Sequence, residues 1–301
     1  MVRKPTGEHI LLSRPVLVAL LSGVLIASCS EEKRPSGVRR ALTNRDFALE
    51  AQRIRKALGD GFIVEVQKPF VIAGDISRAN FNRIKRNTIL RAYSAFYRQL
   101  FRVRPTQVIK VYLFKDDRSY RTYAKKLFGD EPDTPFGYYK RENNSLVMNI
   151  GTGTGTLVHE MTHALVEPDF PQIPAWFNEG LGSLFEQCMI TSRGIKGLVN
   201  WRLPILRKAI EKRQLTGLRK LISTTTAEFY RDERGTHYAE ARYFCMYMQE
   251  LGLLEKVYKD FRANFKHDPT GAKTIEKLLG KSLDQIQQDW LNWVATLSGP
   301  R

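Results

Sequence analysis

Two histidines four positions apart carry the clearest chemical signal in the sequence. The run His159-Glu160-Met161-Thr162-His163 predicts a helix with both imidazole rings on one face, because residues four apart on a helix are neighbours. Two imidazole nitrogens so placed are typical ligands of zinc. Glu160 follows the first histidine and can act on a water molecule at the metal without being a ligand. The alternative is a pair of helix histidines that bond only to protein neighbours.

A third metal ligand is expected from the downstream segment 175–181, which reads AWFNEGL. Three prolines stand between His163 and Glu179, so the chain should leave the first helix, form a loop and enter a second helix. That helix can place the Glu179 carboxylate beside the histidines. Gly180 and Gly182 would permit a close approach there. Alternatively, Glu179 only stabilises the N-terminus of its own helix.

The two motifs together resemble those of the gluzincin metallopeptidases, in particular the peptidase-MA-like group. The second motif is also similar to the Trp-Leu-Asn-Glu-Gly-Phe-Ala segment of aminopeptidase-N-type enzymes. The resemblance implies that His159, His163 and Glu179 bind one Zn²⁺ ion, that Glu160 is general base and acid, and that the substrate is a peptide or protein. The interval before Glu179 is shorter than in aminopeptidase-N-type enzymes and fits the peptidase-MA-like group better. Gly182 stands where alanine is usual.

Three more residues are candidates for the same site. The family often supplies a tyrosine or histidine from a later helix to stabilise the oxyanion of the tetrahedral intermediate, which points to Tyr238 and His237. Tyr238 is alternatively a core aromatic residue of an amphipathic helix. Glu186 lies seven residues after Glu179 on the same helix face, where it either supports a metal ligand or faces solvent.

Other functions fit the sequence less well. The glycine-rich run 151–156 before the first helix suggests a dinucleotide site, but Thr156 stands where the third glycine of that motif is required. A noncatalytic zincin-like envelope lipoprotein that binds a partner or an anionic surface remains the main alternative, although a structural zinc site has no need of Glu160. A cationic surface adhesin is a third hypothesis.

The N-terminus reads as a targeting segment. Basic residues precede an uncharged apolar run at 16–26, which is too short to span a membrane but typical of a signal peptide. Small residues then precede Cys29, and this order resembles the lipobox of bacterial lipoproteins, which implies lipidation of Cys29 after removal of residues 1–28. Ser30 is not the aspartate that marks retention in the inner membrane, so an outer-membrane anchor facing the periplasm is favoured. The alternative is a plain secretory signal with an incidental cysteine.

Composition excludes several classes of protein. The chain has 301 residues, 43% of them hydrophobic and 26% charged, which excludes collagen, a coiled coil and a multi-span membrane protein. The 48 Lys and Arg against 31 Asp and Glu give a net charge of +17, which fits either a solvated basic surface or an anionic neighbour such as a membrane. No zinc-finger or RNA-binding pattern is present, so no nucleic-acid partner is expected.

Cys188 and Cys245 either pair in an oxidising compartment or stay free thiols.

The pattern of apolar residues predicts an α+β fold that is zincin-like, with a small mixed sheet, then the active-site helix, then a mostly helical half. Strands are predicted at 62–66, 70–73, 108–114, 136–139 and 146–150. Helices are predicted at 38–58, 78–101, 117–128, from the glycine-rich run onward, and at 178–189, 203–213, 236–251, 253–265, 270–279 and 282–297. The corresponding division is a tether and first helix at 29–60, a catalytic domain at 61–190 and a helical subdomain at 191–301.

Overall fold

A five-stranded mixed sheet organises the first half of the chain in the computed structural model, which describes residues 41–192, 194–232 and 234–299. The strands are β1 (Ile63–Gln67), β2 (Phe70–Gly74), β3 (Ile109–Phe114), β4 (Gly137–Lys140) and β5 (Ser145–Asn149), and their order is β1-β2-β3-β5-β4. Strands β2, β3 and β5 run parallel, whereas the edge strands β1 and β4 are antiparallel to their neighbours. All five strands were predicted. Because 58% of the described residues are helical beside this sheet, the α+β class is confirmed.

Alternating side chains give the sheet two buried faces. In β2, Phe70 and Ile72 face one hydrophobic cluster, whereas Val71 and Ala73 face the other. The same alternation runs through β3 and β5, because successive side chains of a strand point to opposite faces. The central strands therefore need helices on both sides.

Helices cover both faces of the sheet. One face packs against α1 (Asn44–Leu58) and α4 (Asp117–Phe128). The other packs against α2 (Arg78–Ile84), α3 (Arg91–Gln99) and α5 (Gly155–Asp169). Between α2 and α3 the chain stays helical through a π-helical segment, Lys85–Leu90, so the prediction at 78–101 holds as one long helical run.

The first predicted helix starts later than expected. Within the described residues α1 begins at Asn44, whereas the prediction began at 38, and residues 38–40 lie outside the described part of the chain. The reason is a reciprocal cap: the Asp46 backbone N–H donates to Thr43 Oγ1 (3.4 Å) and the Thr43 N–H donates to Asp46 Oδ2 (2.7 Å). Such a capping box fixes a helix start.

Helices dominate the second half, as predicted, with one small hairpin. The elements are α6 (Ala175–Glu186), β6 (Cys188–Ile190), β7 (Ile195–Gly197), α7 (Leu203–Glu211), α8 (Leu218–Ile222), α9 (Thr226–Tyr230), α10 (Thr236–Glu250), α11 (Leu254–Asn264), α12 (Ala272–Leu279) and α13 (Leu283–Thr296). The prediction that a helix continues to 189 was wrong, since β6 begins at Cys188. Gln249 of α10 bonds both the N–H and the C=O of Gly197, at 2.7 and 3.0 Å, and so holds β7 through a tertiary contact. Helices α8 and α9 were not predicted.

One large hydrophobic cluster connects the sheet to the C-terminal helices. It includes Phe70 of β2, Leu165 of α5, Leu181 of α6, Phe244 of α10 and Val294 of α13. The predicted catalytic domain (61–190) and the predicted helical subdomain (191–301) therefore share one hydrophobic core. Among the described residues, no helix combines the length and the apolar character that crossing a membrane requires.

A buried aspartate fixes the C-terminal end of α5. Asp169 Oδ1 accepts hydrogen bonds from the backbone N–H groups of Arg102 (2.7 Å) and Val103 (2.6 Å). Its Oδ2 accepts from the Tyr258 hydroxyl (2.8 Å) and from Arg262 Nη1 (2.6 Å). The Asp169 side chain is wholly buried. It therefore ties α5 to the segment before β3 and to α11.

Replacing this carboxylate should destabilise the fold. We expect Asp169→Asn to lower the free energy of unfolding by about 3 kcal/mol, because an amide cannot accept from all four donors and leaves Arg262 without its anion. Equilibrium urea unfolding of the metal-free protein measures this. The matched control is Asp284→Asn, whose side chain is 79% exposed and whose loss should barely move the midpoint. Equal midpoints for the two variants would contradict the assignment.

Candidate metal centre

The two motif segments form adjacent helices, α5 and α6. Helix α5 runs through Pro168, which stands in its last turn, and ends at Asp169. Helix α6 begins at Ala175, directly after Pro174, because proline is compatible with a helix start but not with a helix interior. The chain therefore leaves one helix and enters a second between the histidines and Glu179, as predicted, although the second helix starts three residues earlier than position 178.

Two glycines of α6 bring its backbone close to its neighbours. A Cβ atom at Gly182 would lie 2.9 Å from His159 Nε2 and 3.1 Å from His163 Cε1. A Cβ atom at Gly180 would lie 2.7 Å from Cys245 Sγ and 2.9 Å from the Ala241 carbonyl oxygen of α10. Real Cβ atoms essentially never approach to 2.7–2.9 Å, so a side chain at Gly182 would crowd the histidine rings and one at Gly180 would crowd α10. The close approach expected of both glycines is confirmed.

The three predicted ligands converge. Glu179 Oε2 lies 3.3 Å from His159 Nε2 and 3.6 Å from His163 Nε2. One potential ligand atom from each residue lies within 4.8 Å of the others. A tetrahedral zinc ion with ligands at about 2.0–2.1 Å separates its ligand atoms by about 3.3–3.4 Å. The spacing of the Glu179 oxygen from both nitrogens therefore suits such an ion.

Two hydrogen bonds orient the ligands. His163 Nδ1–H donates to Asn178 Oδ1 (2.9 Å), which leaves the Nε2 lone pair directed to the cluster. The Tyr230 hydroxyl donates to Glu179 Oε1 (2.6 Å), so Oε2 is the oxygen that faces the histidines. Supporting bonds of this kind are typical of metal sites. Sequence analysis missed both roles: Asn178 lay within the quoted motif, whereas Tyr230 ends a short helix that no pattern indicated.

The ligands form an ionic cluster when no cation is present. Burial opposes a charge on His163, but the adjacent Glu179 carboxylate outweighs it and raises the pKa of that histidine to about 9. Burial also opposes the charge on Glu179, and the histidines nevertheless hold its pKa well below the ordinary value. Glu179 is thus ionised at neutral pH, as a ligand must be. A metal ion that binds here displaces the proton of His163.

Glu160 lies beside the ligands and is left unpaired. Its side chain is partly buried, and none of the described residues forms a hydrogen bond or an ion pair with it. Burial raises the pKa of the Glu160 carboxyl, the two histidines oppose this change, and the charges of Glu179 and Glu186 add to it. A carboxylate with a raised pKa and a free face is suited to accept a proton.

Of the two oxyanion candidates, only Tyr238 lies at the cluster. The centroid of the Tyr238 ring lies 6.4 Å from that of Tyr230, whose hydroxyl bonds Glu179. Burial and then the charges of Glu179 and Glu160 raise the pKa of Tyr238. His237 Nδ1 lies 3.0 Å from the Phe229 carbonyl oxygen, and the His237 backbone N–H donates to Asp232 Oδ2 (2.6 Å). No contact between described residues links His237 to the ligands.

Glu186 neither supports a metal ligand directly nor simply faces solvent, the two positions expected from the sequence. Its side chain pairs with the guanidinium of Arg202 and is only 18% exposed, so it does not simply face solvent. It also makes no hydrogen bond to a ligand among the described residues. Its charge acts on Glu160 instead, where it helps to raise the pKa of that carboxyl.

Cys188 and Cys245 are free thiols in the structure. Cys245 is buried against Gly180, and Cys188 is partly buried in β6. Burial raises the pKa of the Cys188 thiol to about 11, so it is protonated at neutral pH. Neither sulfur belongs to the metal cluster. Cys29 lies outside the described residues.

Comparison with protein-family models and with curated proteins finds no match for this chain. The geometry of the cluster therefore carries the functional argument.

A side chain at position 182 should impair metal binding. We expect Gly182→Ala to weaken the zinc Kd at least about tenfold, because its Cβ would displace the histidine rings. Competition with a chromophoric chelator measures this Kd. The matched control is Gly180→Ala on the same helix, which crowds Cys245 and should lower stability while zinc affinity of the folded protein stays near wild type. Zinc binding by Gly182→Ala as tight as wild type would contradict the site.

Proposed function

We propose that this protein is a zinc-dependent metallopeptidase of the gluzincin type with a zincin-like catalytic fold. The observation that carries the proposal is the approach of Glu179 from α6 to both histidines of α5, at 3.3 and 3.6 Å. The unpaired Glu160 beside them supports hydrolysis over a purely structural metal site, because a structural site needs no further carboxylate.

Each residue of the cluster has a separate task in this proposal. His159, His163 and Glu179 hold the ion, while Asn178 and Tyr230 orient two of these ligands. Bound zinc would polarise the scissile carbonyl and lower the pKa of a water molecule. Glu160 accepts the proton of the attacking water and passes it to the leaving amine, for which its raised pKa is suited.

Tyr238 is the proposed donor to the oxyanion. Its phenol stays protonated at neutral pH because burial and the nearby carboxylates raise its pKa. A protonated hydroxyl can donate a hydrogen bond to the carbonyl oxygen as negative charge develops there. Tyr230 is less suited, since its hydroxyl orients Glu179 through a 2.6 Å hydrogen bond to Oε1.

We also propose that the protein is lipid-anchored in the bacterial cell envelope through Cys29. The support is the order of basic residues, the apolar run at 16–26, small residues and cysteine. When the full chain is produced in a bacterial host with radiolabelled palmitate, we expect the label and the protein to appear in the membrane fraction. Cys29→Ser should lose both. Label that persists in Cys29→Ser would contradict the anchor.

The test of the enzyme is Glu160→Gln. We expect this variant to keep its zinc and lose casein or peptide hydrolysis by at least about a hundredfold, because the amide cannot accept the water proton. Metal analysis and a peptide-release assay provide the two readouts. Glu167→Gln is the matched control on the same helix, since Glu167 pairs with Arg141 (2.8 Å) and is not one of the cluster residues. Zinc without hydrolysis in wild type would favour the noncatalytic alternative, and activity in Glu160→Gln would remove the proposed base.

A further inference from the structure

An arginine lies beside the proposed catalytic site. The Arg202 guanidinium pairs with Glu186, and its Cζ lies 5.7 Å from the centroid of the Tyr238 ring. Tyr238 in turn is close enough to Glu179 for the carboxylate to influence its phenol. Tyr238 therefore connects Arg202 to the metal cluster. The proposed peptidase mechanism assigns no task to this arginine.

A second arginine, Arg242, lies one helical turn after Tyr238 on α10 and forms no ion pair within the described residues. Arg242 is completely buried, and its Nε atom has no hydrogen-bond partner among those residues. One Nη atom donates to the Leu198 carbonyl oxygen, and the guanidinium lies 4.9 Å from the centroid of the Tyr243 ring. Burial lowers the pKa of Arg242 to about 10, so it remains charged at neutral pH.

The two guanidinium groups share one nearby carboxylate. Glu186 pairs with Arg202, and its charge also acts on Arg242 with the opposite sign to that of Arg202. Among these three side chains the positive charges therefore exceed the negative charges by one. Because partly buried charges are weakly screened, an additional anion is favoured there.

Arg202 is the more accessible of the two guanidinium groups. Arg242 has no exposed surface, whereas Arg202 is 13% exposed and its neighbour Trp201 is 47% exposed. The Arg202 Cζ lies 4.1 Å from the centroid of the Trp201 ring. The indole thus forms an apolar outer surface next to the guanidinium. A ligand that fits both combines an anionic group with a hydrophobic stem.

We propose that Arg202, with Arg242 nearby, binds a carboxylate group of the substrate beside the scissile bond. This inference rests on the proposed peptidase function and specifies its substrates as peptides with a carboxylate near the cleavage site. The carboxylate comes either from the C-terminus of the peptide or from an aspartate or glutamate side chain. Arginine suits this task because its planar donors match a carboxylate.

Trp201 supplies a direct measurement of binding. Its exposed indole contacts Arg202, so a ligand there should change the tryptophan fluorescence of the zinc-loaded protein. The probes are N-acetyl-trialanine as free acid and as C-terminal amide, and N-acetyl-Ala-Glu-Ala-amide with its Gln counterpart. We expect one carboxylate peptide to bind about tenfold or more tightly than its neutral counterpart. The pair that shows the difference identifies the source of the carboxylate.

Four variants assign the effect to this site. Arg202→Gln should abolish the preference for the carboxylate, whereas Arg202→Lys should keep part of it. Glu186→Gln should increase carboxylate affinity several-fold, because it removes the competing anion, and it tests the proposal even if Arg202→Gln fails to fold. Trp201→Phe should lose the fluorescence signal while calorimetry still detects binding.

The outcomes separate this inference from the peptidase proposal. Equal binding of charged and neutral peptides would overturn the subsite. A preference that persists in Arg202→Gln would overturn it too, since the carboxylate then binds elsewhere, for example at the metal. Unchanged affinity in Glu186→Gln would also count against it. Carboxylate binding at Arg202 without hydrolysis would refute the peptidase and leave the subsite. Hydrolysis without a preference for carboxylate peptides would refute the subsite and leave the peptidase.

Discussion

The contact between α5 and α6 is the constraint on which the site depends. Each helix carries part of the ligand set, so the ligands meet only if the two backbones come unusually close. Gly182 makes this possible, because a Cβ atom there would collide with the histidine rings. On the opposite side of α6, Gly180 allows the same close approach to α10. The helix that supplies the carboxylate is thus held between two partners without intervening side chains.

The close packing of α5 and α6 brings several ionisable side chains together. The cluster places two histidines and two carboxylates in a largely buried setting, where unpaired charge is unfavourable. Glu179 is compensated by the histidines, or by a cation that they and Glu179 would share. Glu160 has no such partner among the described residues, and burial raises the pKa of its carboxyl. Around this centre, Tyr230 and Asn178 keep the ligands in one orientation.

Much of the fold and the three side chains of the cluster could be predicted from local sequence. The pattern of the strands fixed their faces, and the spacing of His159 and His163 gave their common helical face. The features that were missed depend on distant contacts. Tyr230 reaches Glu179 across 51 positions of the chain, and Gln249 holds Gly197 across 52. Glu186 lies in the predicted helix, but its partner Arg202 belongs to a later segment that no periodicity links to it.

The most direct measurement is a crystal structure of the zinc-loaded protein with anomalous diffraction on both sides of the zinc absorption edge. The account predicts one strong anomalous peak bonded to Nε2 of His159, Nε2 of His163 and a Glu179 oxygen at about 2.0–2.2 Å, with a ligand position open towards Glu160. A peak held by other residues, or histidine rings that point away from Glu179, would contradict it.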